Sequence, residues 1–366
     1  MGGAQVTPPP GAGSLPGGHQ PLLFAVLEQR SGQASFPAQH DTIAIVNVAG
    51  VAVAKQSFAP RALPVLSNAA PLLQPEARTA AGAVYYVDGK GVVRTLRGTG
   101  ATATVATFDL VRGQQELAFA VSPDGLAIDA TRLTLPPTTS PSRGAGSESL
   151  GNAPLRVELL EAINGGPVAA LSVVQVPQNP TPAPVLQMVG WDNFGAIATY
   201  NTRLGTQQGS IGQWYGEAHH LNPDGGFISA SEFGGPGCQA QASLPDGTVL
   251  CVAADGSMSV RDGAAAVLWS VPAPPGGGLP DAEALAPDGT RVAVSYGARA
   301  TVYARAGASV SLPAGFKPQG WTDADTVIGA VGGPGGEMTL VHLSAADKPV
   351  DLGFKGDFAG VVQAAS

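Results

Sequence analysis

Glu217, His219 and His220, in the run YGEAHHLNPDG, form the one cluster in the chain whose residue types suit metal ligation or acid–base work. Imidazole and carboxylate groups this close can bind zinc or pass a proton. A strand points successive side chains to opposite faces, so His219 and His220 cannot both serve one site, whereas Glu217 and His219 can. Two ligands do not complete a metal centre. The expectation is therefore hydrogen-bonded structural residues or a ligand-facing loop, with no catalytic residue, no metal and no cofactor. Hydrolysis through an activated serine needs a G-x-S-x-G elbow, which the chain lacks. Asp323 and Asp325 lack the alternating Asp/Asn loop and closing Glu of a calcium site and read as a turn. Gly332, Gly333, Gly335 and Gly336 do not lead into a helix, so no phosphate cradle is expected.

The elements that must position these groups are strands. Asp281 to Pro313 reads as four short apolar runs rich in Val, Ala and Tyr, separated by turn residues and without helical period. Pro287-Asp288-Gly289 has the chemistry of a tight hairpin: Pro presets φ, Asp bonds its own backbone, and Gly takes the positive φ. The result is a four-stranded antiparallel meander of about 40 residues, the unit of a propeller blade. Further copies cover the chain. One begins near Pro71–Glu76 and continues through AVYYVDGKG; another runs from QELAFAVSPDG to VAALSVV, interrupted by a tract at 136–154; a fourth begins LQMVGWDNFGAIATYN and turns irregular through Arg203 to Ser231. Two more units follow, the last opening on Gly320-Trp321-Thr322, an echo of Gly190-Trp191-Asp192. Trp191 and Trp321 should pack between sheets.

The first unit, after residue 20, shows only three strands, and one spare apolar run, DFAGVVQAAS, remains at the C-terminus. Pairing the two ends removes both exposed sheet edges. The fold expected is an all-β, seven-bladed β-propeller closed by the C-terminal strand on the N-terminal blade, with six or eight blades as alternatives. It spans residues 21–366 as a single domain behind a Pro- and Gly-rich arm, residues 1–20.

The element ALAPDGTRVAVSYG resembles the S-P-D-G-containing repeats of the TolB-like, WD40-like propeller superfamily, and FAVSPDGLAI, SLPDGTVLCV and GWTDADTVIGA are looser copies. The resemblance implies an extracytoplasmic propeller, often a scaffold or recognition surface. It carries over no catalytic residue, because its residues make a turn.

In such a meander the connection between second and third strands lies at the same end as the link to the next blade. The tract at 136–154, the stretch 201–212 and the link at 177–184 then gather at one end of two neighbouring blades, while other blades keep short turns. Binding residues concentrate on loops carried by a rigid scaffold. Trp214, Tyr215 and Arg203, of the types that anchor interfaces, lie beside Glu217 and His219, and these five are the expected partner-binding residues. The partner class is a protein or a glycan. The alternative is a small-molecule enzyme, lactonase- or lyase-like, at the central channel, with Glu116, Glu217, Asp281 and Glu283 as the acids near the starts of first strands.

Composition sets the remaining bounds. Only 13% of the 366 residues are charged, the net charge is −8, and no run of Lys or Arg could follow a phosphate backbone, so nucleic acid is not an expected partner. No apolar run approaches the ~18 residues of a membrane span. A linker directly after Met1 suggests a removed signal or anchor, hence an extracytoplasmic protein, secreted or tethered to the cell surface, and a monomer. Cys238 and Cys251 either pair or are two small core residues. A regular hairpin about Pro245-Asp246-Gly247 sets them roughly 10 Å apart at ~3.3 Å per residue, beyond disulfide reach, unless a bulge after Gly235-Pro236-Gly237 folds Cys238 back.

Overall fold

A computed structural model describes residues 22–28, 40–59, 77–112, 114–135, 138–139, 149–150, 154–177, 185–201, 218–221, 232–274, 276–331, 336–346 and 348–362. Blade 1 contains β1 (Leu23–Glu28), β2 (Asp41–Asn47) and β3 (Ala52–Phe58). Blade 2 is β4 (Ala77–Ala80), β5 (Ala83–Val87), β6 (Val92–Leu96) and β7 (Thr102–Thr107). Blade 3 uses β8 (Gln115–Val121) and β9 (Ala127–Thr134), then β12 (Leu155–Ile163) and β13 (Ala169–Val176). Between them a two-stranded ribbon, β10 (Thr138–Thr139) and β11 (Ser149–Leu150), stands apart from the blade. Blade 4 is β14 (Val185–Asp192), β15 (Gly195–Asn201) and β16 (Ala218–His220). Blade 5 is β17 (Gln239–Ser243), β18 (Val249–Val252), β19 (Met258–Arg261) and β20 (Val267–Val271). Blade 6 is β21 (Ala282–Leu285), β22 (Arg291–Tyr296), β23 (Arg299–Ala304) and β24 (Ser309–Ser311). Blade 7 is β25 (Phe316–Trp321), β26 (Thr326–Val331), β27 (Glu337–His342) and β28 (Val350–Lys355).

The last strand, β29 (Asp357–Val362), pairs antiparallel with β1 and gives blade 1 the order β29-β1-β2-β3. The ring is thus closed by joining its two ends. Seven blades are present, and counts of six or eight are excluded.

The turns work as their chemistry requires. In Pro287-Asp288-Gly289 the Asp288 carboxylate accepts the Thr290 N–H at 3.0 Å while Gly289 takes φ 68°. Asp124 and Asp246 act alike, accepting from Leu126 and Thr248, beside Gly125 and Gly247 at φ 75° and 84°. An Asx turn and one left-handed glycine close each hairpin. The first strand of blade 2 is Ala77–Ala80 rather than a segment at 71–76, which lies outside the described residues. It is placed by a two-residue turn, Ala81-Gly82, with both φ positive (46° and 70°), the geometry that matches strand twist.

The core is distributed. Buried apolar side chains form seven clusters, one at each interface between neighbouring blades, the last joining blade 7 to blade 1 through Phe24, Ile328 and Phe358. The inner strands, such as β2, β5 and β8, are apolar on both faces and buried between the blades on either side, whereas outer strands such as β7 and β13 are largely exposed. Trp321 is buried between blades 6 and 7, where its Nε1 donates to the Ala284 carbonyl at 3.1 Å, and Trp191 is half-buried against blade 3.

Candidate functional site: the channel and the face of long connections

The innermost strands around the channel are β29, β4, β8, β14, β17, β21 and β25. Four of the seven carry one unpaired extra residue in their ladder: Ala359, Val189, Gln241 and Gln319. A bulge of this kind bends the strand and frees backbone groups from the ladder. The Val189 carbonyl uses that freedom: it accepts a hydrogen bond from Nη2 of Arg78 on β4. Blades 2 and 4 are not neighbours, so this bond runs through the lumen. Gln319 instead accepts the Phe358 N–H at 2.7 Å on its side-chain oxygen, tying blade 7 to the closing strand.

Burial dominates the electrostatics of the channel. Desolvation lowers the Arg78 guanidinium to about 10. Glu283 on β21 is buried, and desolvation, helped by the charge of Asp281, pushes its carboxyl up to about 8, so it is protonated at neutral pH. Asp281 is engaged elsewhere, accepting from Lys317 Nζ and from the Gly297 N–H at 2.5 Å each. Glu116 is buried at the start of β8 and has its own partner. The acids expected at the channel mouth are thus present, except Glu217, which lies outside the described residues. They do not converge: among the described residues no three of His, Cys, Asp and Glu come together as a metal site.

Arg203, Trp214, Tyr215 and Glu217 fall in 202–217, outside the described residues; this segment joins β15 to β16, as the strand order requires. His219 is buried in β16 opposite Ala198, with a partner of its own, so its side chain lies beneath the surface. His220 points to the other face. Its Nε2 lies 2.9 Å from the Asp192 carboxylate, which also accepts from the Phe194 and Gly195 N–H groups, and its ring packs edge-on against Phe233 at 5.0 Å. The sequence signal for this pair was the Asp192-Asn193-Phe194-Gly195 turn, whose Asp was free to take a further donor.

The long connections gather on one face. Strand order places 29–40, 59–76, 135–154, 177–184 and 202–217 all at the end where innermost strands begin. Blade 1 therefore shares this feature with blades 3 and 4, which widens the asymmetry expected from sequence. The opposite face carries tight turns such as 81–82, 193–194 and 286–290.

Cys238 and Cys251 form a disulfide with Cα atoms 4.9 Å apart. The extra residue Gln241 slips the register so that Cys251 pairs with Ala240, which brings Cys238 within reach. The bulge lies inside β17, not at the Gly-Pro-Gly corner. The bridge is buried in the cluster joining blades 4 and 5, with Val189, Ile197 and Phe233.

No protein-family model and no curated protein matches the chain. Among solved structures, oligogalacturonate lyase from Vibrio parahaemolyticus is similar at 9% identity and a TM-score of 0.48, over 80% of each chain. The β-propeller domain of Cps50 (Swd1) from Myceliophteria thermophila is similar at 10% identity and a TM-score of 0.42, over 77% of this chain and 87% of that one. BamB from Moraxella catarrhalis gives 14% identity and a TM-score of 0.35, over 79% of this chain and 72% of that one. At such identities the likeness is one of fold alone.

Proposed function

We propose that this propeller is a non-enzymatic recognition module that holds a protein or glycan partner on the face of the long connections. The observation that carries the reading is the gathering of those connections on one face of a ring whose other face carries, among the described residues, short hydrogen-bonded turns such as 122–127 and 286–290. A rigid ring with variable connections on one side is built for recognition. Arg203, Trp214, Tyr215 and Glu217, in the connection that leads into β16, supply the anchors, together with His219 within that strand.

The disulfide favours an oxidising, extracytoplasmic compartment. Residues 1–20 lead into β1 at the opposite face, so a tether through them leaves the connection face free. The Pro-Asp-Gly turns favour placing the chain in the TolB-like branch of the WD40-like propellers. An enzyme working at the channel has one observation in its favour, the protonated Glu283. Its neighbour Asp281 is held by Lys317, however, which leaves the acid without a free base beside it.

The test is capture from native extracellular material by the immobilised chain. Joint replacement of Arg203, Trp214 and Tyr215 by Ala should abolish capture with stability within about 1 kcal/mol of the unmodified protein. Phe194→Ser, on the opposite face, should capture normally. Capture that survives the triple change but fails with Phe194→Ser would place the interface on the wrong side of the ring for this reading.

A further inference from the structure

Asp129 and Glu161 stand directly opposite each other on β9 and β12 of blade 3. Side chains so placed share one face of the sheet with Cβ atoms about 5 Å apart, and a like-charged pair there is destabilising. Among the described residues neither carboxyl has a hydrogen-bond or ion-pair partner, and the two do not bond each other, so no shared proton joins them. Asp129 is 5% exposed; its Oδ1 is sealed without a donor, its Oδ2 is not sealed, and Glu161 is half-buried. The face they share is the one that meets blade 4, since Ala120, opposite Asp129 on β8, lies in the cluster between those blades. Other charged groups of that interface do not neutralise the pair. Glu116 is a further acid at the far end of β8, His219 on β16 has its own partner, and Arg78 holds the Val189 carbonyl.

Blade 4 sets a tryptophan at the level of the pair. Thr131 Oγ1 accepts the Met188 N–H at 3.2 Å, which aligns the two blades at that point. Two ladder positions from there towards the face of tight turns, β9 reaches Asp129 and β14, past its bulge, reaches Trp191. Trp191 is half-buried against the same cluster, and Ile163, two residues beyond Glu161 on its face, is 49% exposed at the strand end. Two carboxyl groups without a cation thus share one level of one interface with an indole ring and an aliphatic rim. Indole attracts cations best among the aromatic rings. A bare metal ion gains nothing from an aliphatic rim, whereas the stem of an amine packs against it.

We propose that the interface between blades 3 and 4 binds an alkylammonium ion at the face of tight turns, its N–H groups donating to Asp129 Oδ2 and Glu161 and its alkyl chain lying along Trp191 and Ile163. This site is at the other end of the ring from the long connections and stands whether or not that face recognises a partner.

Thermal unfolding of the full chain at pH 8 and fixed ionic strength tests the proposal, with butylammonium, tetramethylammonium, calcium and sodium as chlorides. A ligand that binds only the folded state raises Tm in a saturable way. Butylammonium is expected to do so, and tetramethylammonium, which has no N–H to give, to need about tenfold more for the same rise. The ligand needs Asp129 ionised, and desolvation with the charge of Glu161 raises that carboxyl to about 7, so affinity should fall about tenfold per pH unit below 7. Asp129→Asn and Glu161→Gln should each lose the butylammonium effect, and Trp191→Leu should weaken it. Glu161→Gln, at the more exposed position, serves if Asp129→Asn does not fold. The proposal is overturned if butylammonium gives no saturable rise, if any of these variants responds as the unmodified chain does, if the response is as strong at pH 5 as at pH 8, or if calcium acts as well as butylammonium.

Discussion

In blade 7 the residue that bulges from the innermost strand, Gln319, accepts the Phe358 N–H of the closing strand, and Trp321, after Gly320, is buried. Gly320 lies so close to the Phe358 ring that a Cβ there would sit 2.2 Å from it. The next residue, Thr322, leaves its Oγ1 buried and unpartnered. In blade 4 the bulge is Val189, its carbonyl faces Arg78 across the lumen, and Trp191 is only half-buried. There Asp192 takes the place of Thr322, accepting two turn N–H groups and His220. Blade 4 also has three strands among the described residues where blade 7 has four, and a disulfide joins its interface cluster. The same bulge and Gly-Trp step thus serve opposite ends. In blade 7 they seal the ring, and in blade 4 they turn a backbone carbonyl to Arg78 and a buried carboxylate to His220, with a covalent bridge beside them.

The strongest test of that contrast is Gly320→Val. The added side chain must displace a buried Phe358 ring at the closure of the ring, and a loss of at least about 3 kcal/mol is expected in denaturant unfolding. An unchanged midpoint would mean that the seal in blade 7 is loose. Next in size is the bridge beside blade 4. Converting both Cys238 and Cys251 to Ala frees a 13-residue separation, worth about 3 kcal/mol on the chain-entropy estimate. Hydrogen exchange should show the loss first in β15 to β18, and a uniform loss around the ring would argue that blade 4 is no weaker than the rest.

Asp192→Ala is expected to cost about 2 kcal/mol, since it leaves two turn N–H groups and the His220 ring without their acceptor. A pH series separates the buried acids of the two halves. Glu283, between blades 5 and 6, has its carboxyl raised from 4.5 to about 8, so the unfolded chain gives up its proton first and stability falls as pH rises through that window. Asp129, on the strand face that meets blade 4, is raised by desolvation and by Glu161 from 3.8 to about 7, so stability also falls as pH rises through that lower window. Glu283→Gln and Asp129→Asn should each flatten the fall with rising pH, the effect of Glu283→Gln extending to the higher pH. The smallest effect is expected at Thr322→Val, the counterpart of Asp192. Removing a buried hydroxyl that has no partner should be neutral or stabilise by up to about 1 kcal/mol, and a clear loss would reveal a bond to Thr322 Oγ1.

Much of the architecture could be read directly because it rests on neighbours in sequence. Period-2 patterning marks strands, Asp-Gly corners mark hairpins through bonds two residues long, and a spare apolar run at the end of a chain that lacks one at its start implies closure. Glu283, Asp281 and Glu116 were also legible as acids at the starts of innermost strands. Tertiary structure alone decided the rest. Whether Cys238 reaches Cys251 depended on one extra residue, Gln241, and a bulge is set by how a strand must bend against its neighbours rather than by its own pattern. Arg78 reads as an ordinary polar residue in a four-residue strand until the ring places it opposite a bulged carbonyl two blades away. His219 reads as a candidate for binding, yet the direction it faces follows from the pairing of β16 with β15, which turns it inward and gives His220 to Asp192. Local chemistry determines that there are blades; only closing them into a ring determines which side chains meet in its lumen.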